Sequence, residues 1–518
     1  MTTQNPPTTR ATRAPNGLVQ KYPLHSVATP LAGKSRSNRR MRQFLLAAVT
    51  GGALIAVPQA PKAFAQSLTG SWTTTQSITA ATVVATADGS FNVNTTVTPP
   101  YGNALEITST GATTYSDAAG TVLNAGAGGV GLNINSAGAV TVTTLGDISG
   151  ALGGINAINS GIAATAITVS GTVTSANGTA INASKTIGGG GALTITANNG
   201  SIINGAASGI SAYNAGVADT TINSYGTTVH GGTGAGIYAT KTNAGGGNMT
   251  ITANNAGSSI SGGTYGIFAN SDSVGYIQID ALGDVIATNA TGEGIFASNS
   301  AGSAAITITA GPATFGGSVT GGLNGIDSIN NGVAATTINA HGDVTGTAGV
   351  GILAVNASAA NAAMTILADN TTGTVSGGID GINATNNGSG ATTISSFGSA
   401  KGTTGSGIIG QSNGTTPSLT IDANNSSGGI YGVGATNKST TEGSTTKVTT
   451  NGLVEGGTAG IYAESSLNNL PFPGKTIDIT VADNSLVRNL SRDSADLAIA
   501  TTSGPTTLTN NGRIEGGV

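Results

Sequence analysis

Apolar and polar positions recur in register through most of this 518-residue chain. A phrase of Gly, an aliphatic residue and usually a small one returns about every 28 residues. It runs from Gly131-Leu132 and Gly154-Ile155 through Gly236-Ile237 and Gly294-Ile295 to Gly432-Val433 and Gly460-Ile461, with Ala180-Ile181 in the one gap. Between copies lies a Thr-rich stretch with a single aliphatic centre. These centres are Val142, Ile167, Ile195, Ile222, Ile251, Ile279, Ile308, Ile338, Ile366, Ile394, Ile421, Val448, Ile479 and Leu508. Alternation such as Leu193-Thr194-Ile195-Thr196 is the period-2 mark of a half-buried strand. A third, shorter strand follows, as in Val285-Ile286 and Val344-Thr345-Gly346.

Three short strands and three turns in each repeat predict one coil of a parallel β-helix. The fold class is therefore all-β: a single right-handed solenoid in which each coil adds roughly 4.8 Å, the strand-pairing distance. About fourteen such coils make a rod on the order of 65 Å. A weaker double period overlies the first. Alternate coils turn through Ala197-Asn198-Asn199, Ala253-Asn254-Asn255, Ala368-Asp369-Asn370 and Ala423-Asn424-Asn425, and their neighbours through Gly146-Asp147, Gly283-Asp284 and Gly342-Asp343. Asn and Gly tolerate positive φ, which suits them to tight corners and points to a two-coil duplication.

Composition narrows the picture. Gly contributes 83 residues, while aromatics are 4% and charged residues 8%, so the core must be thin and built from Ile, Val and Ala. Residues 1–65 hold nine Lys/Arg and no acid; the remainder holds nine Lys/Arg against 22 Asp/Glu, a formal charge of −13. An acidic, sparsely charged rod lacks the basic patches that nucleic acid or anionic membranes require. With no cysteine there is no disulfide framework or thiolate metal site.

Residues 36–65 read as a secretory signal: Arg36, Arg39, Arg40 and Arg42, an apolar run from Phe44 to Val57, and a small-x-small site at Ala63-Phe64-Ala65. Cleavage is expected between Ala65 and Gln66. Either residues 1–40 extend the targeting region or Met41 is the true start. Three regions follow: a leader at 1–65, an N-terminal capping or irregular β segment at 66–130 that includes Trp72, and the solenoid at 131–518, which stops in mid-repeat.

No residue reads as catalytic, cofactor-binding or metal-ligating. Asp147, Asp284 and Asp343 share their turn position with Thr172, Ser399, Leu453 and Arg513, which marks a corner role, since a catalytic dyad is local and unrepeated. His230 and His341 are expected to stand alone, without Cys or carboxylate partners. The nearest approach to a charge cluster is Arg488, Arg492, Asp493 and Asp496, read as a loop insertion where the repeat is disturbed.

A secretory leader from Arg42 to Ala65, followed by Gly-Ile and Ile-Thr repeats from Gly131 onward, resembles the passenger domain of Gram-negative autotransporters, the type V secretion proteins. The resemblance implies Sec export, passage through outer-membrane translocation machinery, display at the cell surface or release, and adhesion to a protein or glycan receptor, with lateral self-association an open question. Autotransporters end in a translocator barrel of amphipathic strands. The last residues here, Asn511 to Val518, match Asn451 to Gly457 instead, so a missing C-terminal part is expected. The alternative is a secreted polysaccharide lyase or hydrolase, which needs a groove of clustered Asp, Arg or Lys.

Overall fold

The structure is a computed structural model that describes residues 65–71, 76–78, 82–93, 97–99 and 101–518, except 255–256, 301, 312–316, 358–362, 370, 372, 416–417, 467–473 and 492–495. The expected signal segment before Ala65, together with Trp72, Arg492 and Asp493, lies outside the described residues. Lys62–Val518 form one compact unit; Met1–Pro61, assigned to another, are also outside.

The described residues form 46 strands and no helix. Every pairing between these strands is parallel and joins one coil to the next, giving a β-solenoid of about 14 turns. One coil shows the plan. Its three strands are Ala235–Lys241, Met249–Asn254 and Ser259–Gly262. They lie in register on Tyr265–Ser271, Ile277–Ala281 and Asp284–Ala287 of the following coil. The three faces thus correspond to the Gly-aliphatic phrase, the Thr-rich stretch and the short third strand of the sequence.

Alternation sets the facing. On the second face Ile222, Ile251, Ile279 and Ile308 are consecutive register partners with no exposed surface, while their Thr and Asn neighbours look outward. On the first face Ile237, Ile267, Ile295 and Ile326 stack in the same way, and Val229, Ile260, Val285 and Val319 on the third. Each fully buried aliphatic side chain contributes about 1.5–3 kcal/mol. Stacking of this kind also reaches back before residue 131: Leu105–Ser109, Thr113–Asp117 and Val122–Asn124 pair with Val130–Ser136, Val140–Thr144 and Asp147–Gly150.

Two kinds of corner bound the first face. The corner entering it is made by glycine, and the reason is space. A Cβ on Gly236 would sit 2.6 Å from Ile260 Cγ2 and 2.8 Å from the carbonyl oxygen of Gly266. At the end of the third strand, a Cβ on Gly262 would stand 2.0 Å from the Tyr265 carbonyl oxygen. Neither glycine has positive φ. Crowding, and not positive φ, is thus what requires glycine at these two positions. In the Ala-Asn-Asn turns, left-handed backbone falls one or two residues later, on Gly200 (φ 82°) and Gly257 (φ 81°).

The corner leaving the first face is polar. Asn159 donates from Nδ2 to the carbonyl of Ala163 (2.9 Å) and to Thr165 Oγ1 (3.0 Å), and its Oδ1 accepts from the Gly161 N–H (2.8 Å). Asn214, Asn330 and Asn386 repeat the pattern, with Gly two residues on and Thr six residues on. All four side chains are buried. Each therefore supplies the donors and acceptor that its short loop would otherwise lack.

Candidate functional site

The residues singled out in the sequence prove to be parts of the stack. The carboxylates of Asp147, Asp284 and Asp343 each accept a backbone N–H from the next coil, from Thr172 (2.9 Å), Ser318 (2.8 Å) and Thr374 (2.7 Å). Asn425 does the same for Leu453 at 3.1 Å. These side chains stitch coils together. His341 is not alone: its Nδ1 bonds the Asp369 carboxylate on the next coil, a partner 28 residues away that only stacking makes a neighbour. His230 Nδ1 lies 2.9 Å from Ser261 Oγ.

Arg488 does not belong to a loop insertion. It sits in the strand Leu486–Asn489, opposite Glu455, and donates to one carboxylate oxygen through Nη2 (2.6 Å) and Nε (2.9 Å). Asp496 accepts from Ser491 Oγ. The expected cleavage site at Ala65 and Gln66 falls in the strand Ala65–Ser71, at the start of the described residues.

Stacking also produces two arrangements with no counterpart in the linear sequence. The first is a column of buried lysines in the polar corner. Lys185 lies in register between Asn159 and Asn214, and Lys241 follows Asn214. Lys185 Nζ donates to the carbonyls of Gly161 (2.7 Å) and Ala163 (2.9 Å); Lys241 Nζ donates to those of Gly216 (2.6 Å) and Ala218 (2.7 Å). Both side chains are fully buried, and burial lowers both ammonium pKa values from the ordinary lysine range. Each cation fills the five-residue loop of the preceding coil, 160–164 for Lys185 and 215–219 for Lys241, and bonds its carbonyls.

The second arrangement lies on the outside of the first face. The position after the inward Ile carries Tyr238, Phe268, Phe296 and then Asp327 in four successive coils. Coil spacing forces the rings into a stack: Tyr238 and Phe268 have centroids 4.5 Å apart at 3°, Phe268 and Phe296 5.1 Å apart at 10°. Tyr265, from the neighbouring column, leans on Phe268 and Phe296 with centroids at 4.9 and 5.8 Å. Ring pairs of this kind contribute about 0.5–1.5 kcal/mol each beyond their burial. Their faces are taken up by one another, so the stack is closed rather than a bare platform.

At the end of this stack stand two carboxyl groups. Glu293 is the register partner of Tyr265, and Asp327 that of Phe296. Asn324 holds both, donating Nδ2 to Asp327 Oδ2 at 3.1 Å and to Glu293 Oε1 at 3.5 Å, while its Oδ1 accepts from the Val350 N–H at 3.0 Å. Asp327 is only 6% exposed, and its Oδ1 is buried with no fixed donor on the protein. Burial, then the charge of Asp327 and the hydrogen bond between the two groups, push the Glu293 carboxyl up to about 8. Burial raises Asp327 as well. Near neutral pH the pair therefore keeps one proton, carried by Glu293 and shared with Asp327. Tyr265 is raised too, by burial and the nearby Glu293 charge.

Sequence reading missed this pair because Glu293 and Asp327 are 34 positions apart and neither belongs to a recognisable motif. Asn324 precedes Gly325 as Glu293 precedes Gly294, but the three side chains meet only when the two coils are stacked. No protein-family model, curated protein or solved structure matches the chain.

Proposed function

We propose that this chain is an exported, non-catalytic β-solenoid stalk, the passenger of an autotransporter-like protein that works at the bacterial surface in adhesion. The observation that carries the reading is the periodic use of side chains: the Asp, Asn and Lys residues at its corners bond the loop or coil beside them. Each coil buries its apolar face on the next, so folding can propagate coil by coil from one end. That property suits a chain delivered unfolded through an outer-membrane pore, and the absence of cysteine leaves no bridge to obstruct passage.

The reading as a glycan hydrolase is weaker. Glu293 and Asp327 share a hydrogen bond, whereas paired glycosidase carboxyls stand about 5–5.5 Å or about 6.5–9.5 Å apart, with room for the sugar or a water. The partners of the proposed stalk are the translocation machinery and a protein or glycan receptor.

The test is localisation of the epitope-tagged full-length gene product in a Gram-negative host. Export predicts a mature start at Gln66 and degradation of the tag by protease added to intact cells. A product that keeps its leader and stays protected until lysis would overturn the proposal.

A further inference from the structure

We propose that Asn451 is a site of spontaneous covalent modification, at which the Gly452 backbone nitrogen displaces the side-chain amide and leaves aspartate or isoaspartate. Sequence alone offers many equal candidates. Among the described residues, Asn precedes Gly at 177, 199, 204, 324, 331, 387, 413, 451 and 511. Glycine favours the reaction in each, since no Cβ shields the attacking nitrogen.

The stack sorts these pairs by what holds the glycine N–H. Gly178 donates to Ser175 Oγ (2.9 Å), Gly200 to the Gly226 carbonyl (3.2 Å) and Gly325 to the Val350 carbonyl (3.0 Å). Gly332, Gly388 and Gly512 donate to the Asn two residues before them. Gly205 belongs to a paired strand, and Asn413 commits its amide to Asn387 Oδ1. A nitrogen engaged in this way is held out of line with the neighbouring amide carbon, and near-attack geometry is what such a closure needs.

Asn451 and Gly452 escape these restraints. They form the turn between the strands Thr445–Thr450 and Leu453–Gly456. Asn451 is exposed, and among the described residues neither its side chain nor the Gly452 N–H has a hydrogen-bond partner. The capping Asn of this corner misses the glycine by one position: Asn425 Oδ1 accepts from the Leu453 N–H at 3.1 Å. Asn177–Gly178 is a matched contrast, since Asn177 is equally exposed and Gly178 equally half-buried. Only the bond to Ser175 separates the two.

Water is the only co-reactant. The Gly452 nitrogen loses its proton to solvent base and bonds to Asn451 Cγ; the Cγ–Nδ2 bond breaks and the nitrogen leaves as ammonia. Water then opens the cyclic imide at either carbonyl. Each product adds a negative charge, and isoaspartate also lengthens the backbone just before Leu453, where the third strand meets its register partners. The corner thereby records the age of each molecule.

The experiment is peptide mass mapping of the full chain after timed incubation in mildly alkaline buffer, folded and in urea. Conversion is read as the mass gained when hydroxyl replaces the amide group, and an isoaspartate-specific methyltransferase identifies the linkage. In the folded chain Asn451 should convert at least about tenfold faster than Asn177 and Asn331, because a misplacement of about 1 Å costs about 10²-fold; in urea the three rates should converge. Ser175→Ala removes the acceptor of the Gly178 N–H, so it should raise the Asn177 rate about tenfold and leave Asn451 unchanged. Circular dichroism establishes that this variant is folded; if it is not, the folded and urea rates decide. Equal rates at the three sites in the folded chain, a gap that persists in urea, or an Asn177 rate unmoved in folded Ser175→Ala would overturn the proposal.

Discussion

The two corners that flank the first face meet the same demand by opposite means. Both must turn the chain sharply while leaving no buried N–H or C=O unpaired. The glycine corner does so by removing side chains until backbone and a Val or Ile methyl nearly touch, as at Gly236 and Ile260. The polar corner adds side chains: Asn214 bonds its own loop, and Lys241 from the next coil fills what remains. Subtraction leaves a repeating mark in the sequence, because little but glycine fits, Ala180 being an exception. Addition leaves only a broken one, because Asn, Lys and Ser all occupy the same column in different coils.

The comparison rests on shared core columns, so breaking those gives the largest effect. Ile251→Asp puts an unpaired carboxylate between Ile222 and Ile279. It should cost about 4–5 kcal/mol and open that coil. Limited proteolysis with mass mapping should show new cleavage near residues 245–260; an unchanged digestion pattern would refute the inward facing of this residue.

Next in size, Asn330→Ala strips the polar corner. It takes the donor from the Ala334 carbonyl and one of two partners from the Gly332 N–H and Thr336 Oγ1, which keep Asn299 and Asn356, at about 2–3 kcal/mol. Gly236→Ala overfills the glycine corner and should cost about 1–3 kcal/mol. Gly200→Ala offers the control. Open space surrounds that position but its φ is 82°, so it should lose only about 1 kcal/mol. Urea-melt midpoints of the three variants should rank in that order; equal losses at Gly236 and Gly200 would show that crowding is not what glycine relieves.

The last expected effect is a slope with pH, damped because Glu293 is only partly buried. Glu293 is protonated in the fold up to about pH 8 but has an ordinary value of 4.5 when unfolded. Between those values the folded state binds more protons, so stability should fall as pH rises through the window. Melting temperature should decline from about pH 5 to about pH 8, and Glu293→Gln should flatten the decline. A parallel decline in the variant would place its origin elsewhere.

Much of the fold was legible beforehand. Every Thr-stretch centre from Val142 to Ile479 is an inward residue of the second face, and third strands lie where Val285-Ile286 and Val344-Thr345-Gly346 marked them. The corners were legible as places and not as mechanisms. Positive φ was expected at the Asn-Asn turns and is found on the glycine after them, at Gly200 and Gly257, whereas crowding is what demands glycine at Gly236 and Gly262. The Asn-x-Gly-x-x-x-Thr phrase at Asn159, Asn214, Asn330 and Asn386 was a signal available in the sequence, one that reads as turn composition until its hydrogen bonds are seen.

The sequence by itself determined the period, the strand count per coil and the identity of the inward columns, because alternation and repeat spacing are local properties. Tertiary structure alone decided what touches across coils: Lys185 against the Asn159 loop, His341 against Asp369, Glu293 against Asp327. In a parallel stack, neighbours in space are one coil apart in sequence, and loops of unequal length shift that interval from coil to coil. A spacing that varies in this way leaves no fixed pattern to read, although the contacts themselves follow strictly once the ladder is in register.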